Sequence, residues 1–221
     1  MKDRDRKTAH YLKDIYKKLH KTFGPQQWWP AESPFEVIVG AILTQNTAWT
    51  NVEKAITCLK KKKLLNPRKL YKIDKKDLAK LIRPCGYYNV KSARLKSFLQ
   101  KLFSEFKGDL GSMFSLDTCA LRDCLLQVNG IGPETADSIL LYAANRPVFV
   151  IDAYTRRFLN RHGLVGKDAD YQHIQLLFEK NLPRKTSLFN EYHALIVRLA
   201  KDFCRKKPLC DKCPLKRAKG A

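Results

Sequence analysis

Leu126-Gln127-Val128-Asn129-Gly130-Ile131-Gly132-Pro133-Glu134-Thr135-Ala136 lies between two stretches of helical periodicity. Gly130 and Gly132 permit backbone angles that a Cβ resists, so the Gly-Ile-Gly step can end one helix and open another. The first N–H groups of a helix have no partner inside it, which suits an anion. Two helices joined in this way form a helix-hairpin-helix, whose backbone amides can hold a nucleic-acid phosphate without reading bases. An ordinary glycine-containing turn would use the same residues. Apolar Val128 and Ile131, with Thr135-Ala136 behind them, favour the hairpin.

The surrounding composition points the same way. The 221 residues carry 43 Lys plus Arg against 21 Asp plus Glu, a formal net charge of +22. Such a surplus costs self-repulsion unless a polyanion shares the surface. Nucleic acid comes first, because counterion release drives basic proteins onto phosphate backbones. An anionic membrane surface and a plain solubility adaptation are the other readings. Apolar residues make up 44%, with 10 Gly and 10 Pro, which argues against disordered and low-complexity classes. No run reaches the ~18 apolar residues that cross a bilayer. The charged start, Met1 to Lys7, lacks a secretory pattern, so an intracellular, thiol-reducing setting is expected. Seven cysteines, the first four widely scattered, fit no disulfide framework.

Periodicity predicts helices over 8–23, 35–43, 49–59, 77–82, 90–106, 118–128, 135–144, 153–162, 171–181 and 187–203. Ser33-Pro34 reads as a cap and first-turn pair. Val148-Phe149-Val150-Ile151 resembles a strand but has no sheet partners in the sequence, so a buried extended segment is expected. The lysine runs at 60–63 and 72–80 read as solvated faces. His10, His20, His162, His173 and His193 show no metal spacing and read as surface or packing residues. The class is all-α.

Asp152 follows the apolar run directly, 20 positions after Gly132. Burial there would raise its pKa unless donors compensate. It also suits the N-cap of the helix starting at Ala153. Taken together, the hairpin Gly130-Ile131-Gly132 and Asp152 resemble the endonuclease III superfamily of DNA glycosylases, over nearly the whole chain from Phe35. The resemblance implies a two-lobed helix-hairpin-helix glycosylase with a DNA-binding cleft between the lobes. The lobes are expected at 31–141 and at 1–30 plus 142–221. Leu43-Thr44-Gln45-Asn46-Thr47 is similar to the segment whose Gln enters DNA at the lesion. Gly86-Tyr87-Tyr88-Asn89-Val90-Lys91 is similar to the loop carrying a second wedge, here Tyr87. Gln45, Tyr87, Asn89, Lys91, Gly130, Ile131 and Gly132 are thus the implied DNA-binding residues.

Departures from the superfamily pattern narrow the expectation. Bifunctional members carry a Lys two residues past the second hairpin Gly, which attacks the sugar C1′. Glu134 stands at that position, and a carboxylate forms no imine. The resemblance therefore implies monofunctional hydrolysis, with Asp152 and Glu134 as the catalytic-site candidates. Gln26-Gln27-Trp28-Trp29-Pro30, with Trp49, is similar to the 3-methyladenine DNA glycosylase III branch. That makes Trp28, Trp29, Pro30 and Trp49 the base-pocket candidates, with a gap-filling role for the tryptophans as the alternative. A cationic alkylated purine would gain from such aromatic faces. Cys204, Cys210 and Cys213 resemble the superfamily's iron–sulfur loop, but the first gap is one residue short and the fourth position falls at Lys219. Four thiolates hold a [4Fe–4S] cluster, so a cluster, another structural metal or a relict loop all remain open, and none enters the chemistry. The expected partner is double-stranded DNA carrying a damaged base, met by a cytoplasmic, nucleoid-associated monomer with no membrane role. The rival functions are a mismatch thymine or uracil glycosylase and a non-catalytic helix-hairpin-helix DNA binder.

Overall fold

The computed structural model describes residues 3–216. Helix is the regular structure throughout these residues: α1 (Asp3–Phe23), α2 (Pro34–Leu43), α3 (Trp49–Lys61), α4 (Pro67–Lys72), α5 (Lys75–Leu81), α6 (Tyr88–Phe106), α7 (Leu110–Phe114), α8 (Thr118–Leu126), α9 (Pro133–Ser138), α10 (Ala153–Arg161), α11 (Tyr171–Asn181) and α12 (Thr186–Asp202). The all-α class holds. The chain divides into two compact units, Ala31–Arg146 and the residues up to Pro30 together with those from Pro147 onward.

Caps explain most helix starts. Ser33 Oγ accepts from Glu36 N at 3.2 Å ahead of α2, and Asp117 accepts from Cys119 N and Ala120 N ahead of α8. Two helices absent from the periodic reading, α4 and α7, are short and rest on caps from Asn66 and Asp109. Asn66-Pro67 starts α4, while α3 has already ended at Lys61. Periodicity over 135–144 is carried by α9 followed by a wider π-type turn, Ile139–Ala143.

The Ala31–Arg146 unit is built around α2, whose residues from Phe35 to Leu43 are all buried and which packs on α3, α6 and the Ile139–Ala143 turn. Each such Ile or Leu contributes about 1.5–3 kcal/mol when fully buried. Buried Glu36 is matched by Lys60 Nζ at 2.8 Å and by the Glu32 N–H at 3.0 Å.

In the other unit α1 packs on α11 and α12, and α10 on α12. Its core is aromatic. Phe149 stacks on Phe178 with centroids 3.7 Å apart and meets Phe189 and Tyr192 edge-on. Residues 148–151 are buried and extended, as read from the sequence, and a buried backbone needs partners. One face of α11 supplies them. Glu179 Oε1 accepts from Phe149 N at 3.0 Å, Gln175 Nε2 donates to Phe149 O at 2.8 Å, and the Tyr171 hydroxyl accepts from Ile151 N at 3.3 Å. These three positions are four residues apart, so one helical stripe stands in for a neighbouring strand. Gln175→Leu leaves the Phe149 carbonyl buried without this donor. It should destabilise the fold by about 1–3 kcal/mol, read as a lower denaturation midpoint.

Candidate functional site

Asp152 ends the extended segment and caps α10, its Oδ1 accepting from Thr155 N at 2.7 Å. Its Oδ2 lies 3.5 Å from His193 Nε2 on α12, with the Asp152 side chain 14% and the His193 side chain 8% exposed. The aromatic core sets this meeting. Phe149 is three residues before Asp152, Tyr192 is one before His193, and the Phe149 and His193 rings contact edge-on. Burial pushes the Asp152 carboxyl up, but the His193 ring and the Thr155 N–H outweigh it and hold the group below the usual carboxylate range. A depressed folded-state pKa means that ionised Asp152 stabilises the fold above the ordinary carboxylate value. That contribution is lost as pH falls through the depressed one. His193, read from sequence as a packing residue, is therefore part of this site. Its place on the apolar face of α12 signalled burial, but nothing in the sequence signalled its partner.

The hairpin lies in the other unit. Gly130 has φ +87°, and a Cβ there would meet Arg94 Cγ at 2.4 Å, so glycine is required twice over. Gly132 is extended and has open space where a Cβ would be, which leaves the approach to α9 bare. Ile131 is buried and anchors the turn from within. Glu134 is exposed in the first turn of α9. Fully buried Asp137 takes Arg122 in a two-pronged pair, Nε at 2.7 Å and Nη2 at 3.2 Å, clamping α8 to α9.

Gln45 is tied to this hairpin. Its Nε2 donates to Gly130 O at 3.0 Å and to Thr135 Oγ1 at 2.9 Å, and its Oε1 accepts from Arg94. Entry into DNA would require exchanging these bonds. Tyr87 is 71% exposed and held in the left-handed region at φ +46°, with Val90 also exposed one turn on. Asn89 is exposed beside them. Lys91 departs from its expected place at the DNA surface. It is 1% exposed and its ammonium is consumed by internal acceptors, so it cannot reach a phosphate. Its spacing with Leu95, Phe98 and Leu102 on the inward face of α6 was the overlooked signal.

Trp28 and Trp29 are half-buried, joined by a cis peptide, with ring centroids 5.1 Å apart, and Pro30 is exposed. The preceding Gln26 N–H donates to Glu191 Oε1 at 2.8 Å, which fastens this segment to α12 two residues from His193. Trp49 opens α3 in the other unit and donates from Nε1 to Glu53 at 2.8 Å.

Cys204, Cys210 and Cys213 line one cavity of about 620 Å³ with His162, Phe203 and Leu215. The loop is held by arginines: Arg157 Nε donates to Cys204 O at 2.7 Å, and Arg161 Nη2 donates to Lys206 O at 2.9 Å. Among the described residues no group of three His, Cys, Asp or Glu is placed to hold a metal ion, and Lys219 lies outside them. Three thiols fall one short of a four-thiolate cluster, so the donor set here does not fit that group.

Residues 39–184 match the family model of the HhH-GPD superfamily base excision DNA repair proteins. The chain belongs to that superfamily. An HhH-GPD relative in Methanocaldococcus jannaschii, named by inference as a DNA repair glycosylase, is 52% identical over 204 residues, covering 91% of this chain and 92% of its own. Among solved HhH-GPD structures, the 3-methyladenine DNA glycosylase of H. pylori bound to 1,N6-ethenoadenine aligns with a TM-score of 0.75 and 31% identity, over 89% of this chain and 97% of that one. A non-covalent endonuclease III–DNA complex aligns at TM-score 0.80 and 20% identity, over 94% and 92%, which shows the shared fold.

Replacing His193 with Phe keeps an aromatic ring on α12 and removes the nitrogen facing Asp152. The Asp152 carboxyl should then titrate at higher pH than in the unaltered protein, followed by its carboxyl carbon signal in NMR. An unchanged titration would remove His193 from the site.

Proposed function

We propose that this base excision repair glycosylase is monofunctional, and that it extrudes an alkylated purine such as 3-methyladenine and hydrolyses its N-glycosidic bond. The observation that carries the reading is an Asp152 carboxyl held ionised by its own neighbours, in a chain whose sequence has Glu134 where lyase members of the superfamily carry lysine. Support for the alkylated purine comes from the 31% identity to the H. pylori 3-methyladenine glycosylase.

The proposed chemistry follows from charge. Alkylation leaves the purine cationic, so it departs as a neutral base when the bond between C1′ and the ring nitrogen breaks, and no acid is needed for the leaving group. The deoxyribose becomes oxocarbenium-like, and the Asp152 carboxylate stabilises it electrostatically. Water adds to C1′, its proton passes by way of Asp152 to solvent, and an intact abasic strand remains. Thr155 and His193 keep the carboxylate ionised and fixed for this task. Trp28, Trp29 and Trp49 are the candidate faces for the flipped base. The net charge of +22 fits double-stranded DNA as the partner of a monomer. No cofactor enters these steps. A metal at Cys204, Cys210 and Cys213 would serve only the shape of the loop that carries them, and iron and zinc analysis of freshly purified protein reads it.

Asp152→Asn should lower base release by about a hundredfold or more while DNA affinity persists. Mass spectrometry should find methylated purines freed from dimethyl-sulfate-treated duplex and no thymine freed from a T·G duplex. Borohydride should trap no protein–DNA adduct. Thymine release without methylpurine release would replace this reading with the mismatch one, and a trapped adduct would end the monofunctional one. Unchanged base release in Asp152→Asn would remove the carboxylate from the chemistry.

A further inference from the structure

Lys91 is a buried ammonium whose three N–H donors are satisfied by uncharged oxygens: Leu43 O at 2.8 Å, Thr47 Oγ1 at 2.5 Å and Cys85 O at 2.8 Å. No carboxylate pairs with it among the described residues, and Thr47 Oγ1 itself donates to Cys85 O at 2.6 Å. Burial holds its pKa below the usual lysine range, with Arg94 adding to the effect against an opposing contribution from Cys85. A buried charge without an ion partner is expensive unless every donor is satisfied, so the placing of its three acceptors is what keeps Lys91 here. What distinguishes the three acceptors is their place. Leu43 and Thr47 flank Gln45 by two residues on either side, and Cys85 lies two residues before Tyr87. One ammonium thus ties together the loops from which both candidate wedges project, reaching Leu43 and Thr47 across 48 and 44 residues and Cys85 across 6.

We propose that Lys91 is a positioning residue that sets the spacing of Gln45 and Tyr87, so that both enter the duplex together when a nucleotide is extruded. The proposal rests on the reading of those two residues as DNA wedges. Three neutral acceptors around a compact ammonium make a tripod, which resists displacement in every direction where a single hydrogen bond would swing. Arg94, from the same helix α6, adds a second tie to Gln45 itself. The two loops are therefore held by the helix that follows the Tyr87 loop.

The test compares base release from dimethyl-sulfate-treated duplex with release from the same DNA after heat denaturation, where no stacked partner strand has to be replaced. Full-length Gln45→Ala, Tyr87→Ala, Lys91→Met and Thr47→Val are measured, with melting temperatures for each. Thr47→Val removes one leg of the tripod and leaves the ammonium in place, so it reports even if Lys91→Met folds poorly. The expected result is a duplex-to-single-strand activity ratio about tenfold or more lower for Lys91→Met, with a smaller fall for Thr47→Val. If Gln45→Ala and Tyr87→Ala lower the ratio but Lys91→Met and Thr47→Val do not, the tripod has no positioning role and the proposal is overturned, while the wedge reading stands. If Gln45→Ala and Tyr87→Ala leave the ratio unchanged, the wedge reading fails and this proposal falls with it.

Discussion

A four-residue extended segment with no sheet is the constraint on which the Asp152 site depends. Buried Phe149 and Ile151 cannot leave backbone groups unpaired, and α11 answers with Glu179, Gln175 and Tyr171 on one stripe. That stripe fixes the register of the segment. Register fixes where Phe149 enters the aromatic core and therefore where Asp152 emerges. The same core holds Tyr192, so His193 arrives opposite Asp152 as a by-product of packing. An acid and its imidazole neighbour, 41 residues apart, are brought together by apolar contacts neither of them makes alone.

The Ala31–Arg146 unit solves a different problem, how to keep loops in place around a hairpin. It uses buried charge with graded compensation. Glu36 has Lys60, and Asp137 has a two-pronged Arg122. Lys91 has only carbonyl and hydroxyl oxygens. Removing one member of such an arrangement costs more than the bond it makes, because the remaining group stays buried and unpaired. The stiffness of the hairpin and its neighbouring loops is therefore bound to electrostatic groups that sequence patterning alone marks only as out of place.

Much of the fold was legible because its helices are long enough to show a period. The bounds of α11 follow from apolar spacing over 171–181, and the extended reading of 148–151 follows from an apolar run with no sheet partner in the sequence. Helices of five or six residues, α4 and α7, are too short to repeat and appear only through their caps. At the candidate site, Asp152 and the hairpin glycines were visible as local chemistry. His193 was not, since its partner is set by tertiary packing. Lys91 stands in a motif that resembles a DNA-contacting loop, yet its place on the inward face of α6, beside Leu95 and Phe98, buries it.

Tyr87 shows how the backbone limits what its position can become. The residue is left-handed, directly after Gly86 at φ +62°, and it projects a ring that is mostly solvated. Branching at Cβ is penalised severely at such an angle, whereas glycine or asparagine would relax it and give up the bulk. The repertoire open to drift is accordingly narrow: large, unbranched at the first carbon, and tolerant of a twist that most side chains refuse.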